Sequence, residues 1–358
     1  MKDIVIRHET EYDFESSLEV KRLSWLSAYS HIFSPESINN HFNSKLNSAG
    51  YKSEYIDLAK NTKQLYVAEL DGKVVATMNI APKHDGDDFV EILWLYVHPD
   101  YQRMGIGKKL YDLATCLCIE QNVNKIHIEA LTDNKIGCSF YSKNGGKIIS
   151  TKIKEMLGVK AELSTFRFDI KPIVLETERL ILRKYKETDL DDYFEYASHK
   201  DVGPRIGFEP YTDKNTALER IKLEMQKPFH FAIELKETHK VVGSIELMNC
   251  KKDRYSNLEI EDSAKEIGFL LSPHFWGKGI MPEACKKIMS FAFETLHCPA
   301  IYMGHAESNT QSERVQDKMG FKKIGKLEGY RTWIDGKLTN LIERKMTMNE
   351  YKKIKDTL

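Results

Sequence analysis

The feature that most constrains this 358-residue chain is an internal repeat. In the first half, a short strand (IVIRHE) and helical patterning over Glu15–Ser30 lead to a second helical stretch after Pro35. Two β-rich runs follow, LYVAEL and VVATMNI, joined by Asp71-Gly72, a dipeptide that favours tight hairpins. A third run, FVEILWLYV, ends near Pro99; a loop at Gly105 then opens a long helix, and strand KIHIEAL precedes a short helix from Asn134 to Gly145. The second half repeats the order: RLILRKY, helices over Asp189–Ser198 and Asn215–Gln226, FHFAIEL and VVGSIELM around a longer turn at Glu237, and EIGFLL ending at Pro273. A loop at Gly279, strand AIYMGHA and a short helix from Asn309 to Gly320 complete it, with the same Asn-to-Gly separation as before. Order, spacing and residue type coincide, which predicts two copies of one fold. Lys171-Pro172 interrupts strand patterning between Asp169 and Glu176, so the predicted domains are residues 1–170 and 171–358. The absence of a low-complexity linker predicts a monomer whose halves pack as an internal pseudo-dimer.

Composition narrows the partners. Lys+Arg and Asp+Glu are equal at 53 each, so no net field draws the chain to nucleic acid or membrane. The N-terminal MKDIVIRHETEYDF carries charges where a signal peptide needs an apolar run, and no stretch approaches the roughly 20 apolar residues of a membrane span. The six cysteines include no CxxC and no paired Cys/His spacing, so reduced thiols in a cytoplasmic protein without a metal site are expected. Cys116 and Cys118, two apart on a helix, point away from each other.

The glycine loops carry the chemistry. Gln102-Arg103-Met104-Gly105-Ile106-Gly107-Lys108 follows a β run and opens an amphipathic helix. Glycines there let backbone N–H groups approach a phosphate, and the helix N-terminus adds roughly half a positive charge. A bare Gly-x-Gly is more often a structural loop than a phosphate site. The loop is not a Walker sequence, and the hairpin meander before it does not suit a dinucleotide fold.

In this context residues 102–107 resemble the [RQ]-x-x-G-x-[GA] loop of the GNAT superfamily of acyl-CoA N-acyltransferases. NKIGCSFYSKNGG resembles that family's N-x-x-x-x-x-F-Y-x-x-x-G-F helix at Asn134, Phe140, Tyr141 and Gly145, with Gly146 where an aromatic is usual. The second half is similar to the RimJ/RimL-type ribosomal-protein N-acetyltransferases through TERLILR, EIGFLL, WGKGIMPEA and NTQSERVQDKMGF. Trp276 stands at the loop start and Met281 at the second glycine position, as that branch commonly has them.

The resemblance implies an α+β fold in each half, a mixed, mostly antiparallel sheet flanked by helices, with the fourth and fifth strands splayed to receive pantetheine. It implies acetyl-CoA as co-substrate. Its pyrophosphate would lie on the backbone of 102–108 and of Trp276, Gly277, Lys278, Gly279, Ile280 and Met281. Its pantetheine would lie along Leu95, Tyr96 and Val97 in the first half and Phe269, Leu270 and Leu271 in the second, near Asn134 and Asn309. The implied reaction is acetyl transfer to a primary amine of a small molecule or a peptide N-terminus, by direct attack in a ternary complex. An alternative keeps one half catalytic and the other as a packing or CoA-binding module.

Such an attack needs an ammonium deprotonated and a thiolate protonated. Glu91, fourteen residues before Gly105, matches a general-base glutamate of the superfamily, or is a solvated edge residue. Tyr141, seven residues after Asn134 and so on the same helix face, matches the tyrosine beside the CoA sulfur, or is a core tyrosine. In the second half Gln316 takes the tyrosine's place, and Ser312 matches a serine that donates to the thiolate, or is a surface hydroxyl. Glu266 lies thirteen residues before Gly279, so it faces away unless a bulge restores the register. Trp25, Tyr29 and Phe33 form either an aromatic substrate wall or core; Lys251–Arg254 form either a solvated loop or the rim of a cleft.

Overall fold

In the computed structural model the chain divides into two compact units, Met1–Lys171 and Pro172–Leu358. The structure describes residues 4–84, 86–250, 259–331 and 338–358; the Lys251–Arg254 stretch lies outside them. Among these residues no helix is long and apolar enough to cross a membrane.

The first unit contains strands β1 (Val5–His8), β2 (Leu65–Leu70), β3 (Lys73–Ile80), β4 (Val90–Val97), β5 (Lys125–Leu131), β6 (Lys147–Met156) and β7 (Val159–Asp169). Its helices are α1 (Phe14–Tyr29), α2 (Pro35–Leu46), α3 (Ala49–Asn61), α4 (Ile106–Glu120) and α5 (Lys135–Lys143). The sheet order is β1-β2-β3-β4-β5-β7-β6. The second unit contains β8 (Leu175–Glu176), β9 (Leu180–Arg183), β10 (His230–Leu235), β11 (Val241–Asn249), β12 (Lys265–Leu271), β13 (Ala300–Ala306), β14 (Lys322–Arg331) and β15 (Leu338–Thr347). Its helices are α6 (Leu190–Ala197), α7 (Gly203–Ile206), α8 (Lys214–Gln226), α9 (Ile280–Ser290), α10 (Thr310–Lys318) and α11 (Met348–Ile354). Here the order is β14-β15-β13-β12-β11-β10-β9-β8. Each sheet is antiparallel except at one place, β4 beside β5 and β12 beside β13. Both halves are therefore mixed, mostly antiparallel α+β folds.

Local chemistry sets the elements. Asp71 and Gly72 have φ of 52° and 76°, the backbone a two-residue hairpin turn with right-handed strands requires. Helix α3 was not anticipated, although Ser48 caps it by accepting from Tyr51 N and Tyr51, Tyr55 and Leu58 recur at helical spacing. On one face of the first sheet, Met78, Ile92, Ile126 and Phe166 pack against Leu110, Leu113 and Ala114 of α4. On the other, Phe14, Leu18, Phe33, Ile38 and Phe42 of α1 and α2 and their connection gather around Leu65 and Leu131. Trp25 stacks on Phe33 at 6.0 Å and meets Tyr29 edge-on at 5.3 Å, so this aromatic cluster is largely core. A side chain at Gly146 would place its Cβ 2.8 Å from Phe168, whose ring fills the space an aromatic at 146 would need. In the second unit Phe321 is present and buried, and Met346 stands where the first has Phe168.

One polar device enters both units at the first strand. Arg7 donates to both Asp13 oxygens at 2.7 and 2.9 Å and to Glu69 at 3.0 Å. Arg183 does the same with Asp189 at 2.8 and 2.9 Å and also bonds Glu234. Each aspartate also accepts from a backbone N–H three residues earlier at 2.8 Å, fixing the entry to the following helix. The clamps differ in burial: side-chain exposure is 12% and 7% for Arg183 and Asp189, against 35% and 8% for Arg7 and Asp13. Breaking a buried pair strands the remaining charges, so Arg183→Ala should cost about 3–5 kcal/mol. Arg7→Ala, whose guanidinium and Glu69 partner are more exposed than Arg183 and Glu234, should cost less. Urea unfolding of the full chain followed by a probe in each half checks this; equal losses would mean that burial does not set the strength of the clamp.

Candidate active sites

In each sheet the parallel pairing is short. β4 pairs with β5 only through Val90–Ile92, and β12 with β13 only through Lys265 and Glu266. Beyond these points the strands part, leaving the backbone of Leu93–Val97 and Ile267–Leu271 without a ladder partner on that side among the described residues. An exposed strand edge of this kind can pair with an amide-bearing ligand.

The open edge leads into the glycine loops. Gly105 and Gly279 are the N-cap residues of α4 and α9, with φ of 82° and 76° in the left-handed region, where a side chain is strained. Arg103 is also left-handed (φ 62°), and Gly277 occupies the matching place in the second unit (φ 74°). The loop start is tied down by one bond in both: Gln102 Nε2 donates to Val97 O at 3.2 Å, and Trp276 Nε1 donates to Leu271 O at 2.9 Å. The tryptophan thus replaces glutamine by supplying a donor to the same carbonyl. Beyond each glycine the first-turn N–H groups of a helix point outward, an arrangement suited to an anion.

In the first unit a cavity of about 710 Å³ joins these parts. Leu95, Tyr96, Val97, Gln102, Arg103, Gly105, Ile106, Gly107, Lys108, Asn134 and Tyr141 all line it, with Ser24 and Tyr29 from α1; Met104 does not and is exposed. Asn134 caps α5 by accepting from Gly137 N at 2.9 Å and donates to the Tyr29 hydroxyl at 3.0 Å. A Cβ on Gly137 would lie 2.7 Å from the Asn134 amide, so a side chain here needs that amide to shift; the second unit carries Ser312 at the equivalent place. The Tyr141 hydroxyl has no hydrogen-bond partner among the described residues, and burial pushes its pKa up, keeping the phenol protonated.

Glu91 is not among the residues lining this cavity. Val90 and Ile92 take the core face of β4, and Glu91 projects on the other, where burial and then Glu129 push its carboxyl up. Glu129 lines the cavity instead.

The offset between the glutamates has a structural cause. Ile80 lies opposite Ile92 and Asn79 opposite Trp94, so Leu93 is an extra, bulged residue in β4. β12 runs against β11 without such a shift. Glu91 therefore pairs with His127 and Glu266 with Tyr302, each seven residues before a capping asparagine. The positions are equivalent, yet Glu266 is buried and lines a cavity while Glu91 does not.

The second unit has two adjoining cavities. One, of about 340 Å³, is walled by Phe269, Leu270, Leu271, Trp276, Gly277, Gly279, Ile280, Met281, Asn309 and Ser312; Lys278 is not in the wall. The other, of about 490 Å³, shares Arg205, Phe269, Leu270, Asn309 and Ser312 with it and adds Glu224, His230, Glu246, Glu266 and His305. Asn309 accepts from Ser312 N at 3.3 Å. Apart from Glu266, the sequence reading missed this polar wall, although His230 and Glu246 are direct cross-strand partners in mainly apolar runs. Glu224, His230 and Glu246 converge within 4.8 Å, a set able to hold a metal. Lys227 Nζ lies 2.7 and 3.0 Å from the two carboxylates, so an ammonium already sits beside them. Burial alone would raise Glu224, but contact with His230 and the charge of Lys227 overcome it and hold the carboxyl down to about 2.

Comparison with known proteins agrees with this geometry. The Acetyltransferase (GNAT) family model matches residues 26–146, and the Acetyltransferase (GNAT) domain model matches residues 179–322. An uncharacterized N-acetyltransferase of Bacillus licheniformis, p20, is 30% identical over 49% of this chain and 97% of its own length. The spermidine N(1)-acetyltransferase of Thermoplasma acidophilum is 30% identical over 41% of this chain and 91% of its own. The solved GNAT-family acetyltransferase of Bacillus anthracis is 21% identical, covering 50% of this chain and all of that one, at a TM-score of 0.44. Two parted sheets, each opening onto a glycine-capped helix, and a family match in each half place this chain in the GNAT family as a tandem acyl-CoA-dependent N-acetyltransferase.

Proposed function

We propose that each half binds acetyl-CoA and transfers its acetyl group directly to a primary amine, either of a small molecule or of a peptide or protein N-terminus. The observation that carries this reading is the continuity of the parted strand edge, the glycine turn and a walled cavity in both units. The pyrophosphate would accept from the N–H groups following Gly105 and Gly279, and the pantetheine amides would pair with the free edges of β4 and β12. The thioester then lies near Tyr141 in the first unit and near Ser312 in the second. Tyr141, held neutral by burial, donates a hydrogen bond to the departing sulfur. Ser312, which lines both cavities of its unit, is placed to do so in the second.

The acceptor enters from the opposite side of the parting. In the second unit that side is polar, with Glu266 in its wall, whereas Tyr29 and Ser24 border the first unit's cavity. These different walls suit different acceptors.

Titration calorimetry with acetyl-CoA should find two sites, and Gly105→Glu and Gly279→Glu should each remove one. Binding unchanged in both variants would refute the phosphate assignment. In the Gly279→Glu background, Tyr141→Phe should lower kcat by about 10²-fold, with acetyl-CoA affinity within a few-fold; wild-type turnover would return Tyr141 to a packing role. Assayed over one panel of amines and peptides, the two glycine variants should show different acceptor profiles, and coincident profiles would mean equivalent sites.

A further inference from the structure

Where the first unit has Ala130 and Tyr141, the second has His305 and Gln316, at the same distances from the capping asparagine. His305 lies on β13 three residues beyond the last pairing with β12, in the wall of the cavity that Glu266 and Ser312 also line. It is 4% exposed, and its Nδ1 lies 2.9 Å from Oε1 of the buried Gln316. A carboxamide oxygen only accepts, so Nδ1 carries the hydrogen and Nε2 keeps its lone pair. That Nε2 is buried with no hydrogen-bond partner among the described residues. A buried acceptor left unpaired is costly unless a ligand or water meets it, and His305 lines the cavity that a ligand would enter.

We propose that His305 is the general base of the second domain, held in the Nδ1–H form by Gln316 and taking a proton from the acceptor ammonium at Nε2. This rests on the acetyl-transfer reading above. The ammonium gives one proton to Nε2; its freed lone pair bonds the thioester carbonyl carbon, and the carbon–sulfur bond breaks. The sulfur takes a second proton from the same nitrogen through the Ser312 hydroxyl, which donates one and receives one. His305 then returns its proton to solvent, so an amide, a thiol and one proton result. Charges around the ring keep it ready. Burial lowers its pKa, the Gln316 bond raises it, and Arg344 on β15 lowers it, opposed by Glu313 and Asp317 on α10. The net shift is below the ordinary histidine value, so the imidazole is neutral at neutral pH. Glu266 on β12, His230 on β10 and Glu246 on β11 line the same cavity. The exchange of residue pairs explains why the second unit lacks the tyrosine: the imidazole and its carboxamide occupy the corresponding positions.

The test uses the full chain carrying Gly105→Glu, with thiol release from acetyl-CoA measured over the amine and peptide panel and acetyl-CoA binding followed by calorimetry. His305→Gln should lower kcat by about 10²-fold or more while calorimetric binding stays within a few-fold, which also reports that the domain is folded. Gln316→Glu sets a carboxylate on the Nδ1 hydrogen and strengthens the ring's hold on a proton. The acid limb of kcat/KM, where the base becomes protonated, should therefore move to higher pH. A merely structural histidine would not move that limb. Turnover of His305→Gln within about threefold of its parent, or an acid limb unmoved in Gln316→Glu, overturns the assignment alone. If the Gly105→Glu parent binds acetyl-CoA yet releases no thiol with any acceptor, the transfer reading of the second domain falls and takes the assignment with it.

Discussion

Everything distinctive in each half depends on two parallel strands that stop pairing. A sheet interior normally satisfies every backbone N–H and C=O, and an unpaired edge inside it is costly. Here the cost is tolerated because the strands are held on their outer sides. β5 is paired along its whole length by β7, and β13 by β15, with seven residue pairs each. β4 and β12 are held in turn by β3 and β11. The parting is thus rigid, a gap between two braced walls, and it ends at a helix N-terminus whose own N–H groups are unpaired. Unsatisfied backbone from two sources converges on one channel. That convergence suits the channel to something extended, amide-bearing and anionic at one end.

The two copies diverge by exchanging residues in complementary pairs. Gly146 with Phe168 in the first unit corresponds to Phe321 with Met346 in the second, and Ala130 with Tyr141 corresponds to His305 with Gln316. In each exchange the small position takes a ring and the ring position takes a flexible unbranched chain, so the two elements share the space differently. Packing tolerates such paired changes where it would resist either one alone. The second exchange also changes chemistry, setting an imidazole near the parted strands where the first unit has a phenol.

Much of this was legible in the sequence because it is local. The Asp71-Gly72 turn, the two glycine caps and the Asn134 and Asn309 caps are each fixed by a residue type at one backbone conformation. What was not legible is what depends on strand register. The bulge at Leu93 is invisible in the composition of FVEILWLYV, yet it makes Glu91 and Glu266 equivalent despite their different distances from the glycine. The polar wall of the second unit likewise assembles Glu224, His230, Glu246, Glu266 and His305 from five separate elements. No spacing rule connects such residues; only the folded sheet does.

The paired tethers at the loop start have a consequence for how such loops are recognised. Gln102 and Trp276 differ in size, polarity and aromaticity, yet each places one N–H on the carbonyl that ends the preceding strand. What the loop needs there is a donor at a given reach, not an amide or a guanidinium. A pattern written in residue types treats tryptophan at this position as a departure. A pattern written in geometry, one side-chain N–H five residues after the last strand carbonyl, treats it as a match and would admit loops that a letter-based motif discards.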